Sequence, residues 1–111
     1  MAPLVSHIYE LGLVEAISIP QTECFDGALQ FARAEGIVPA PEPTHAIAAA
    51  VREAMACKES GEEKVILTAL CGHGHLDLAA YETFLSGQMV DLDLPDSAIQ
   101  EAMQNVPKIE G

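Results

Sequence analysis

Val65-Ile66-Leu67-Thr68-Ala69-Leu70-Cys71-Gly72-His73-Gly74-His75-Leu76-Asp77 decides how this chain is read. Together with Lys64, its first six residues form an apolar, β-branched run that predicts a strand, and two glycines separated by one histidine interrupt it at once. A helical pattern follows over Leu76 to Leu85, closed by Ser86-Gly87. A strand that ends in a glycine loop and runs into a helix is how open α/β sheets present ligand-facing backbone. The expectation is an α/β fold with its site at Cys71 to His75.

Working outward, Pro3 to Leu11 carries Leu4, Ile8 and Leu11 at helical spacing, with Gly12 as a stop. Val14 to Ile19 alternates apolar and small polar residues and is closed by Pro20, which predicts a second strand. Gln21 to Glu35 places Cys24, Phe25, Ala28, Leu29, Phe31 and Ala32 on one helical stripe ended by Gly36. Pro39, Pro41 and Pro43 then predict a rigid, non-helical connection, because each removes a donor and biases its predecessor to extended geometry. Thr44 is read as the cap of an Ala-rich helix to about Lys58, stopped by Ser60-Gly61. After Gly87 the composition turns acidic, with a final helix expected from Pro95 or Asp96 to Asn105. The organisation expected is a partial α/β domain over 1–87, two short parallel strands packed by about five helices, and an acidic tail over 88–111.

A two-stranded parallel sheet is a thin centre for helices, since parallel strands normally have neighbours and both faces covered. The residues therefore imply either part of a larger domain or one completed by a second copy. The length of 111 residues allows one domain. A net charge of −12 with five Lys and Arg in total argues against nucleic acid, whose binding rests on clustered cations. It argues equally against an anionic membrane surface, and no apolar run reaches the roughly 20 residues of a span. No secretory signal is read at the start, so a cytoplasmic location is expected. The three cysteines, Cys24, Cys57 and Cys71, show no C-x-x-C pair and are expected to be reduced. Cys24 and Cys57 are read as small buried hydrophobes within helices.

Three places carry candidate chemistry. Cys71, His73 and His75 alternate along the loop and have soft and imidazole donors, but no further cysteine or carboxylate stands at ligand spacing, so no metal site is assigned. Cys71 with His45 or His73 is a conceivable nucleophilic pair without an orienting third group. Glu42 is an acid on a stiff loop before a helix start, a position the helix dipole favours without any catalytic duty.

Glu35-Gly36-Ile37-Val38-Pro39-Ala40-Pro41-Glu42-Pro43-Thr44-His45-Ala46-Ile47, then Glu63 to Leu67, then Leu70 to Tyr81 resemble, in this order, the C-terminal part of tryptophan synthase beta chains of the second branch. Met1 to His7 also resembles an internal segment of that branch, and the resemblance runs to about Gly87. It implies part of a fold-type II pyridoxal phosphate enzyme, a lyase of tryptophan biosynthesis that joins L-serine to indole. By the same resemblance Cys71, more often Ser in the family, faces the cofactor's pyridine nitrogen with Gly72 and His73 beside it. Glu42 then matches the acid near the cofactor ring, and Gln21-Thr22-Glu23 a region near the substrate hydroxyl.

The family's Schiff-base lysine and glycine-rich phosphate cradle match nothing in this sequence. Lys58, Lys64 and Lys108 fall at a helix end, a strand start and the tail. The expectation is a C-terminal fragment that binds no pyridoxal phosphate alone and is inactive alone, with a homodimer or the missing N-terminal part as partner. The alternative is a small standalone α/β binding or assembly module without catalysis.

Overall fold

The computed structural model describes residues 3–92 and 95–104. Its elements are five α-helices, α1 (Pro3–Glu10), α2 (Gln21–Glu35), α3 (Pro41–Ser60), α4 (Leu78–Leu85) and α5 (Asp96–Gln104), with a single 3₁₀ turn at Gly74–Leu76. Met1, part of the tail and Lys108 lie outside the described residues.

The α/β expectation is overturned, because no strand and no sheet occur among the described residues. Neither predicted strand is paired with a neighbour, and pairing is what makes a strand; Val14 itself lies in a bend. Period-two patterning survives in the second one: Ile66 and Thr68 lean over Phe31, Ile47 and Val51 at a groove of about 290 Å³, whereas Val65 and Leu67 are 99% and 94% exposed. Alternation of side chains records which face a segment buries and cannot supply the neighbour whose N–H and C=O groups complete the ladder. In Val14–Ile19 the alternation does not hold: Ile19 is buried while Ile17, two residues before it and on the same face of an alternating strand, is exposed, as is Val14. The one ladder contact among the described residues is an isolated antiparallel bridge between Pro39 and His73.

The packed centre is the α2–α3 hairpin with α4 against it. Its apolar stripe divides into two small clusters. Ile19, Cys24 and Ala48 form one, and Phe25, Ala28 and Tyr81 form the other, flanked by Leu29, Val38 and Phe84. Phe25 meets the Tyr81 ring edge-on at 5.0 Å and stacks on Phe84 at 5.5 Å, geometries in which ring quadrupoles attract. Helix α2 stops where expected, because Gly36 enters the left-handed region at φ 70° and returns its N–H to Ala32 O. Its start has no cap of its own. Asp91, from the segment after α4, accepts from the Thr22 N–H at 2.9 Å and from the Thr22 hydroxyl, and these bonds hold its carboxyl below the usual carboxylate range.

Helix α3 begins earlier than its prolines imply. Pro41, Glu42 and Pro43 form its first turn after the extended Ala40. The first turn donates no intrahelical bond, so prolines cost nothing there. Thr44, fully buried, is one turn inside, and its hydroxyl donates back to Pro41 O instead of capping. Arg52 on α3 forms a two-pronged pair with Glu23 on α2, at 2.6 Å from Nε to Oε1, which lowers the Glu23 carboxyl and raises the guanidinium. Both side chains are 40% or more exposed, so the pair fixes orientation more than it stabilises.

Candidate functional site

The glycine loop is docked onto the residues that lead into α3. Ala40 N–H donates to Gly72 O at 3.0 Å, and Gly74 N–H donates to Val38 O at 2.8 Å. The Tyr81 hydroxyl, from α4, donates to Pro39 O at 2.5 Å and pins the same segment from the other side. Burial, and then the Asp77 carboxylate, raises the Tyr81 phenol, so it remains a donor.

Gly74 is required for space, since a Cβ there would overlap Pro39 O and come within 3.0 Å of Val38 Cγ1 and 3.1 Å of Tyr81 Cε2. A Cβ on Gly72 would meet only the Ala40 methyl, at 3.1 Å. The loop thereby presents Cys71 and His73 to solvent with Gly72 half-buried between them. Glu42 is exposed on the first turn of α3, two residues beyond Ala40. Of the four residues expected at a cofactor, Cys71, Gly72 and His73 are on the docked loop, and Glu42 follows two residues after the Ala40 on which that loop docks.

Beside that corner is a cleft of about 270 Å³ lined by Gln21, Phe25, Pro41, Glu42 and His45. Of the three residues expected near a substrate hydroxyl, only Gln21 reaches it. Thr22 is bonded to Asp91, and Glu23 is paired with Arg52. His45 is not paired with Cys71: its Nδ1 lies 3.1 Å from the buried Cys24 Sγ. The His73 and His75 rings are 4.8 Å apart, and no group of three or more His, Cys, Asp or Glu stands at a metal-holding arrangement among the described residues. The Cys24–His45 contact escaped the sequence reading because the two residues are 21 positions apart on different helices and Cys24 fits its apolar stripe.

No protein-family model matches the chain. It is 58% identical over 90 residues to the tryptophan synthase beta chain 2 of Aquifex aeolicus, a match covering 81% of this chain and 21% of that protein. It is 53% identical over 89 residues to the tryptophan synthase beta chain 2 of Methanosarcina acetivorans, covering 80% of this chain and 20% of that one. The chain is homologous to the C-terminal part of tryptophan synthase beta chains. The tryptophan synthase beta chain of Thermococcus onnurineus follows at 48% over 93 residues. The chain spans about a fifth of the length of the curated relatives it matches.

The tryptophan synthase beta family depends on pyridoxal phosphate. Such a site needs an amine for the aldehyde, donors for the phosphate and a partner for the ring nitrogen. The exposed Cys71 thiol can serve the last of these. The other two do not fit. Lys58 is at the far end of α3, about 25 Å along its axis from Pro41 at 1.5 Å per residue, and Lys64 is paired with Glu62 at 3.1 Å. At the start of α3, beside the loop, Pro41 and Pro43 lack N–H groups and Glu42 repels an anion. The start of α4 also carries an acid, Asp77, at its N-cap. The described residues thus fit one side of the cofactor and not the whole of it. Among them, no helix is long and apolar enough to cross a membrane.

Proposed function

We propose that this chain supplies the ring side of a pyridoxal phosphate site in a tryptophan synthase beta-type enzyme, which forms L-tryptophan from L-serine and indole. The observation that carries the reading is the docked corner, where two backbone hydrogen bonds and Tyr81 hold the Cys71–Gly74 loop against Val38–Ala40, two residues before Glu42. Cys71 is the partner of the ring nitrogen, a weaker one than Ser would be. Gly72 and His73 flank it, and Glu42 is the acid near the ring. A neutral thiol at that nitrogen leaves it unprotonated, which moderates the ring as an electron sink.

The remainder of such an enzyme is the proposed partner, and it brings the lysine and the phosphate cradle. Support comes from the unpaired Val65–Leu70 segment, whose Val65 and Leu67 are almost fully exposed and offer an apolar face for a neighbouring element to cover. In isolation the same face favours a homodimer.

The test is spectroscopic. The isolated chain mixed with pyridoxal phosphate is expected to give the spectrum of the free cofactor and no tryptophan from L-serine and indole. Adding a separately produced piece of the A. aeolicus protein, lacking its own matching stretch, is expected to generate both a bound-cofactor band and product. Bound cofactor and turnover by the isolated chain would refute the division of the site.

A further inference from the structure

Cys24 is 1% exposed in the second turn of α2, and His45 stands on α3 at the rim of the Glu42 cleft. Burial pushes the Cys24 thiol up, and the neighbouring Glu23 carboxylate adds to this, while a hydrogen bond with Thr44 acts the other way. The thiol therefore keeps its proton, and the geometry offers two acceptors for it. His45 Nδ1 is 3.1 Å from Sγ, whereas Ile19 O is 4.0 Å away.

We propose that Cys24 is a positioning residue for His45: its thiol proton is donated to Nδ1, which fixes the neutral ring with hydrogen on Nε2. A histidine ring has one tautomer to choose, and the partner of one nitrogen decides what the other presents. Here Nε2–H becomes a fixed donor in the cleft, one helical turn from the Glu42 carboxylate acceptor and next to Phe25 and Pro41. A donor and an acceptor so placed suit a ligand group that carries both, such as a hydroxyl or a primary amide, and disfavour an anion. That use in ligand handling rests on the function proposed above for this corner; the tautomer does not.

The full chain, labelled with ¹⁵N in histidine, is examined by long-range ¹H–¹⁵N NMR at about pH 8, where imidazole is neutral. His45 is expected to show hydrogen on Nε2 alone, with an Nδ1 resonance displaced by hydrogen bonding from those of the exposed His73 and His75. Cys24→Ala is expected to move the Nδ1 resonance toward theirs, and Cys24→Ser to restore part of the displacement. Hydrogen on Nδ1, or a His45 signal unmoved in a folded Cys24→Ala chain, overturns the inference. If Cys24→Ala does not fold, the wild-type tautomer decides alone. Failure of the functional reading leaves these spectra unchanged, so the two are distinguishable.

Discussion

Replacing Gly74 by Ala adds a single methyl group at the centre of the docked corner. Gly74 is not among the glycines with positive φ, so the backbone itself tolerates Ala and the penalty is one of space. The new methyl overlaps Pro39 O and crowds Val38 Cγ1 and the Tyr81 ring. Val38 can turn away, but Tyr81 is packed edge-on against Phe25 and Pro39 O is backbone, so the loop has to lift. Lifting releases the Gly74-to-Val38 bond and strains the Ala40-to-Gly72 and Tyr81-to-Pro39 bonds. Overpacking costs about 1–3 kcal/mol and each hydrogen bond lost about 0.5–1.5 kcal/mol, so the total expected is roughly 2–5 kcal/mol. Urea unfolding followed by circular dichroism gives the global loss, and hydrogen exchange at the Ala40 amide gives the local one. Gly72→Ala is the control, with a smaller cost because its Cβ meets only a methyl group. A Gly74→Ala chain within about 0.5 kcal/mol of wild type and with Ala40 equally protected would refute the docking.

Tyr81→Phe is expected to cost about 1–3 kcal/mol in urea melts, because it leaves Pro39 O without its buried donor. Gly27→Ala is expected to stabilise by about 0.5–1 kcal/mol: a Cβ there meets Ala48 and Ile47 at 3.6–3.7 Å, ordinary contact, and Ala is the better helix former. A thermal melt with an unchanged or lowered midpoint would contradict that. The lowered Asp91 carboxyl contributes stability above its unfolded pKa, lost as pH falls through the folded value, so Asp91→Asn is expected to weaken the fold at neutral pH and flatten the acid limb of a stability profile. Sedimentation at micromolar concentration is expected to show self-association of the wild-type chain, reduced in Leu67→Lys, whose parent side chain is 94% exposed.

Helix α2 was legible to its last residue because its stripe, its length and Gly36 all report local preferences. The start of α3 was not, because Pro41 and Pro43 break a helix interior and suit a first turn equally, and only the backbone at Ala40 distinguishes the two. Val14–Ile19 and Val65–Leu70 have strand patterns without strand partners, since periodicity is a property of one segment and a sheet is a property of several. At the site, the glycine loop stood out for its composition. What it docks against did not: the pairing of Gly72 and Gly74 with Val38 and Ala40 spans more than thirty residues, as the 21-residue separation of Cys24 and His45 does on a smaller scale. Gly74 in particular looks in the sequence like ligand-facing backbone, and in the fold it makes room for the Pro39 carbonyl.

The most direct measurement is made on a chimera in which residues 1–87 replace the matching stretch of the A. aeolicus tryptophan synthase beta chain 2. The purified chimera is assayed for L-tryptophan from L-serine and indole and scanned for the band of bound pyridoxal phosphate. The expected result is a bound-cofactor band and turnover, with Cys71→Ala altering the band's position and lowering the rate. A folded, cofactor-loaded chimera that makes no tryptophan, or one whose spectrum and rate ignore Cys71→Ala, would contradict the assignment of this corner to the cofactor ring.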